Sequence, residues 1–168
     1  GTLFLDEIGD MPLELQPKLL LFLQNQSFYP VGGREKRKVN VRLIAATNQG
    51  LKQAMLEGRF RQDLYYRLNV FEIEMPPLRE RREEIPGLAL TFLREEFGGD
   101  EAIGGLRFSN EALDALLTYD WPGNIRELRN VMLRVATLVE PGSRVLPEHL
   151  PKLRNRPSAD VMPQDLLG

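Results

Sequence analysis

The chain has 168 residues, and its 22 basic and 24 acidic side chains nearly cancel to a net charge of −2, which argues against a strongly nucleic-acid-binding domain. It contains no cysteine, so disulfides and cysteine-ligated metals are excluded. The longest strong apolar run, Leu19-Leu20-Leu21-Phe22-Leu23, is far too short to span a bilayer, and no signal segment opens the sequence. A cytoplasmic protein is expected, with no membrane partner.

In chain order, Thr2-Leu3-Phe4-Leu5 reads as a strand buried on both faces, as in a parallel sheet between helices. It ends abruptly in Asp6-Glu7. Two ionised groups are costly to bury, so they are expected at the strand's exit, where charge can meet metal or substrate. There Asp6 would hold a Mg²⁺ directly or through its water, and Glu7 would polarise an attacking water. The alternative is a strand that simply stops in a polar loop.

Residues 12–25 read as a helix, with Pro12 in its first turn, Pro17 making that turn ragged, and Leu15, Leu19, Phe22 and Leu23 as a packing stripe. Residues 28–40 read as a hairpin turning at Gly32-Gly33, with Arg34, Lys36, Arg37 and Lys38 on a solvated tip. Val41–Thr47 is a second buried-strand run, closed by Asn48. A helix at 50–57 and a short helix bearing Arg61 and Arg67 follow, then a strand at 70–75 in which apolar and acidic residues alternate. Pro76-Pro77 ends that strand, and Leu78–Ile85 forms a charged hinge. Beyond it, amphipathic patterns at 84–97, 109–118 and 123–138 make an all-helical unit, with N-caps at Ser109 and at Gly123-Asn124. Trp121 and Pro122 pack and start the last helix, and His149 is expected on the surface. The proline-containing tail after Arg154 reads as linker.

Four segments, in this order, carry a resemblance: Gly1-Thr2-Leu3-Phe4-Leu5-Asp6-Glu7, Val41–Asn48, Gly58–Leu68 and Trp121-Pro122-Gly123-Asn124-Ile125-Arg126-Glu127-Leu128. Together they resemble the AAA+ ATPase domain of sigma-54-dependent, NtrC-like transcription activators over residues 1–153. The resemblance implies an α/β fold: part of the AAA+ (P-loop NTPase) parallel sheet over 1–80, a helical lid over 81–153, and a linker over 154–168. The sequence has no G-x-x-x-x-G-K-[ST] loop and none of the family's sigma-gripping loop, so it is read as the back half of the domain.

The resemblance also implies roles. Asp6 and Glu7 match the acidic pair for magnesium and water. Asn48 matches the first sensor of the terminal phosphate; otherwise it closes a strand-to-helix turn. Arg61 and Arg67 match arginines that reach into a neighbouring subunit's ATP site; otherwise they are salt-bridged on the surface, with Asp63 as a partner. Arg126 matches the lid sensor of its own subunit's nucleotide; otherwise it lies on a solvated face with Glu127 and Arg129. The hairpin matches the one that couples the nucleotide site to the sigma-gripping loop.

The implied activity is ATP hydrolysis within a homo-oligomeric ring, used to remodel the sigma-54 RNA polymerase closed complex, with DNA bound through a separate domain. The competing readings are an inert interaction or oligomerisation module and a direct DNA-binding unit. Because the backbone cradle for phosphates is missing, isothermal titration of this chain with ATP and Mg²⁺ is expected to show no micromolar binding.

Overall fold

The computed structural model describes residues 1–153, so the expected linker after Arg154 lies outside the described residues. The chain divides into two compact units, Gly1–Glu74 and a second that starts at Met75.

The first unit is organised by two parallel strands, β1 (Thr2–Leu5) and β4 (Arg42–Ala45), paired Thr2↔Arg42 through Leu5↔Ala45. Between them the chain forms helix α1 (Gln16–Asn25) and a short antiparallel hairpin, β2 (Ser27–Phe28) with β3 (Arg37–Lys38). Helices α2 (Leu51–Leu56) and α3 (Gln62–Leu68) follow. The core is Ile8, Ala54, Phe60, Leu64 and Tyr65, against which Leu5, Leu19, Leu20, Leu23 and Leu68 pack.

Four expectations for this unit need correction. The strands are not buried on both faces: Phe4 is 57 % and Ile44 43 % exposed, because side chains alternate across a strand and only the Leu3 and Leu5 side of β1 is half-buried. Helix α1 begins at Gln16 rather than at Pro12, which instead closes a turn by accepting the Leu15 N–H at 2.9 Å. Pro17 is therefore the proline of the first turn, where its missing N–H costs no hydrogen bond. No strand forms at 70–75. Val70, Phe71, Ile73 and Met75 are 72–83 % exposed, since an alternating segment becomes a strand only beside a ladder partner, and no described residue supplies one.

The second unit opens with two short 3-10 turns, Leu78–Glu80 and Arg82–Glu84, within the expected charged hinge. Helices α4 (Ile85–Phe97), α5 (Asp100–Ile103), α6 (Asn110–Thr118) and α7 (Asn124–Ala136) follow. Their apolar faces converge on Leu78, Ile85, Leu93, Leu116, Trp121, Leu128 and Met132, all fully buried. Ser109 caps α6 as expected, its hydroxyl accepting the Ala112 N–H at 3.1 Å. The unit is not purely helical, because β5 (Arg107–Phe108) pairs in parallel with β6 (Arg144–Val145). Close backbone approach permits this pairing: a Cβ on Gly142 would lie 3.0 Å from the Gly104 carbonyl oxygen.

The turn into α7 is left-handed at both Trp121 (φ 50°) and Asn124 (φ 51°). Three contacts stabilise it. The Trp121 indole N–H donates to the Leu116 carbonyl at 2.8 Å, its ring meets Tyr119 edge-on, and the Asn124 side-chain oxygen accepts the Leu78 N–H at 2.8 Å. Gly123 offers no side-chain cap to α7; instead the Glu127 carboxylate, one turn inside the helix, accepts the Gly123 N–H at 2.8 Å. His149 is half-buried rather than on the surface, its Nδ1 accepting the Leu146 N–H at 3.0 Å to close the last 3-10 turn.

Trp121→Ala would remove both the largest buried side chain and its hydrogen bond. A loss of about 3–5 kcal/mol is expected in denaturant unfolding of the second unit.

Candidate functional site

The parallel register of β1 and β4 brings the carboxyl ends of both strands to one edge of the sheet. The Ala46 N–H donates to the Leu5 carbonyl at 2.8 Å, and the Ile8 N–H donates to the Ala46 carbonyl at 3.0 Å, so the two strand exits are tied together. Asp6 and Glu7 leave this edge exposed to solvent, as the cost of burying two charges requires. Glu7 adopts the left-handed conformation (φ 49°, ψ 46°), which carries a steric cost for a residue with a Cβ. Its Oε2 accepts the Asn48 N–H at 3.4 Å. Asp6 supports the same bend, its Oδ1 accepting the Glu7 N–H at 3.0 Å.

Asp6, Glu7 and Asn48 are thus brought together. The turn after β4 is closed by Thr47, whose hydroxyl accepts the Gln49 N–H at 3.1 Å. The Asn48 carboxamide makes no hydrogen bond among the described residues, so it is not spent on shaping its own turn. Gly9 permits the close fit beneath this turn, since a Cβ there would meet the Thr47 hydroxyl at 2.7 Å.

No group of three or more His, Cys, Asp or Glu among the described residues could hold a metal. Magnesium held by one or two carboxylates together with phosphate oxygens and water does not require such a group. Asp6, exposed at the strand exit with one oxygen holding the Glu7 N–H, could supply such a carboxylate.

Arg61 and Arg67 stand at opposite ends of α3, about 9 Å apart along the axis at 1.5 Å per residue. Arg61 is the N-cap residue, and its guanidinium grips Asp63 in bidentate fashion at 3.0 and 2.7 Å. The hydrogen bond from Arg61 holds the Asp63 carboxyl below its ordinary range, and Asp63 in turn raises Arg61. Arg67 Nη2 donates to the Leu23 carbonyl at 3.2 Å, satisfying an acceptor in the last turn of α1. Arg126 lies exposed on α7, with no hydrogen bond or ion pair among the described residues. Its sequence neighbours are engaged elsewhere: Glu127 takes the Tyr119 hydroxyl and the Gly123 N–H, and Arg129 pairs with Glu95 at 2.9 Å.

Sequence reasoning missed the glutamines around this site. Gln16 is fully buried and bonds to Met11, Arg59 and Arg61. Gln49 joins Asp10 to Arg59. A signal for Gln16 existed, since it falls in register with Leu19, Leu20 and Leu23 on the apolar stripe of α1.

The Arg61–Asp63 pair predicts an acid-range signature. A depressed carboxyl keeps the pair charged above the unfolded value and loses it as pH falls through the folded one. In NMR titration, Asp63 should titrate below an unpaired aspartate and return towards ordinary values in Arg61→Ala.

Comparisons with known proteins give the family. The family described as Sigma-54 interaction domain matches residues 1–74, and the AAA+ ATPase lid domain matches residues 79–164. The alginate biosynthesis regulator AlgB of Pseudomonas putida is 53 % identical over 150 residues, covering 89 % of this chain and 33 % of AlgB. The regulator NtrC of Escherichia coli is 51 % identical over 154 residues, covering 90 % of this chain and 32 % of NtrC. The chain thus spans about a third of the length of these relatives. Among solved structures, NtrX of Brucella abortus in complex with ATP superposes with a TM-score of 0.82 at 39 % identity, covering 90 % of this chain and 36 % of NtrX. Strand-end carboxylates, lid and relatives coincide: this chain belongs to the NtrC-like, sigma-54-dependent family of AAA+ transcriptional regulators and carries the C-terminal half of their AAA+ domain.

Proposed function

We propose that the protein carrying this chain is a cytoplasmic, ring-forming ATPase that uses ATP hydrolysis to remodel the sigma-54 RNA polymerase closed complex, with DNA held by another domain. One observation carries the reading: Glu7 Oε2 meets the Asn48 N–H at the adjoining ends of two parallel strands. A carboxylate able to orient water then stands beside a side-chain amide with free hydrogen-bonding capacity, the pairing that phosphoryl transfer to water needs. The ATP-bound relative supports the substrate class.

In this mechanism Glu7 accepts a hydrogen bond from the attacking water and takes up its proton as the water oxygen bonds to the terminal phosphorus and the bond from that phosphorus to the departing ADP oxygen breaks. Asn48 orients that water or the phosphate through its carboxamide. Asp6 would hold the metal, and magnesium there would neutralise charge on the phosphate oxygens. Arg61 and Arg67 serve a neighbouring subunit's site, where a planar multi-donor cation meets the charge developing on the transferred group. Arg126 contacts the nucleotide of its own subunit.

The test uses the intact protein. Glu7→Gln should lower ATP turnover by about 10² or more while nucleotide binding is retained. Mixed with Arg61→Ala or Arg67→Ala subunits, it should restore activity, because its arginines complete their intact pockets. It should not restore Arg126→Ala, whose own pocket is defective. Near-wild-type turnover of Glu7→Gln would remove that residue from the mechanism, and rescue of Arg126→Ala in assembled rings would overturn the assignment of the arginines.

A further inference from the structure

We infer that Gln16 is a positioning residue for Arg61, its buried carboxamide fixing the main chain of residues 59–61 to the turn that follows the acidic pair. The inference rests on the reading of Arg61 proposed above. Gln16 is fully buried at the start of α1, in the register of the leucines that pack beneath it. An apolar side chain would pack there without desolvating an amide, so the polar group is accounted for by what it bonds.

Its three hydrogen bonds have a single theme. Nε2 donates to the Met11 carbonyl at 3.0 Å and to the Arg59 carbonyl at 3.0 Å, and Oε1 accepts the Arg61 N–H at 2.8 Å. Met11 ends the 3-10 turn Ile8–Asp10 that follows Glu7 directly. Arg59 and Arg61 flank Phe60, which is buried in the core. One side chain therefore joins the exit of the acidic strand to the main chain of the arginine segment.

The location of the Arg61 guanidinium depends on that main chain. Arg61 is the N-cap residue of α3 and contributes no side-chain cap, and among the described residues its guanidinium is held only by Asp63, two residues along the same segment. Asp63 thus fixes the arginine relative to its own helix end, and Gln16 fixes that helix end relative to the acidic turn. A second tie follows the same route on the surface, with Gln49 bonded to Asp10 and receiving Arg59 Nη1 at 3.4 Å. Both glutamines connect the same two segments, which a simple fold brace would not require.

The experiment uses the intact protein with Gln16→Met, which keeps the length and packing of the side chain and removes all three hydrogen bonds. Turnover should fall by about 10², the scale of a misplaced catalytic group, with ATP affinity unchanged because the subunit's own pocket is intact. Mixing with Glu7→Gln subunits should restore activity, as it should for Arg61→Ala measured alongside. Gln16→Leu likewise removes all three hydrogen bonds while keeping an apolar fit, so its turnover should fall as that of Gln16→Met does and be restored by Glu7→Gln subunits. If Gln16→Met is not rescued beside a rescued Arg61→Ala, or if it weakens ATP binding, the positioning role is overturned while the reading of Arg61 stands. If Arg61→Ala is itself not rescued in assembled rings, the reading of Arg61 falls and this inference with it. Loss of folded structure in both Gln16 variants makes the residue a brace of the fold and also overturns the inference.

Discussion

The parallel pairing of β1 with β4 is the constraint on which the candidate site depends. Parallel strands present their carboxyl ends at the same edge, so whatever side chains terminate them are brought within reach of one another. Here those ends are Asp6-Glu7 and Asn48, separated by some forty residues of sequence and joined by a hydrogen bond. The pairing continues one step past each strand through Leu5, Ala46 and Ile8, so the bend at Glu7 is held between backbone hydrogen bonds on both sides. A left-handed glutamate is unfavourable in isolation, and this surrounding ladder is what lets it persist. A one-residue slip in register would turn every strand side chain to the opposite face and separate the carboxylate from the amide.

The second organising element is polar and buried. In most cores an amide is a liability, and it is tolerated only when all of its hydrogen-bonding capacity is used. Gln16 comes close to that condition, since both amide hydrogens and the carbonyl oxygen find main-chain partners in two other segments. The arginine segment is otherwise short: α3 has seven residues, too few to be stable by helical propensity alone. Its placement comes from Leu64 and Tyr65 in the core and from the glutamine at its entrance. The second unit uses the same economy, with Asn124 turning its side chain back to the Leu78 N–H and Trp121 filling the space beside α6.

Much of this organisation was legible in the order of residues. An apolar run that ends in paired acids, a second run that ends in an amide, and helices with apolar faces all follow from local periodicity and from the cost of burying charge. The Ser109 cap followed from the same kind of local chemistry. What misled was the extrapolation from pattern to partner. Val70–Met75 alternates as a strand should, yet alternation specifies a face and not the neighbour that pairs with it. The expected burial of Phe4 and Ile44 was misjudged for the same reason. Pro12 and Pro17 both suit a first helical turn, and only the packing of α1 selected the second.

The amino-acid sequence by itself determined the family and, for those expected strands and helices that formed, their ends to within a few positions. Those properties are local: they depend on side-chain type, spacing and capping within a handful of residues. Tertiary structure alone decided that Glu7 meets Asn48, that Gln16 holds the Arg61 segment, and that Arg67 caps the end of α1. These are contacts between segments brought together by the pairing of two strands and the packing of one core. No periodicity within a single segment encodes which distant backbone group will lie opposite a given side chain.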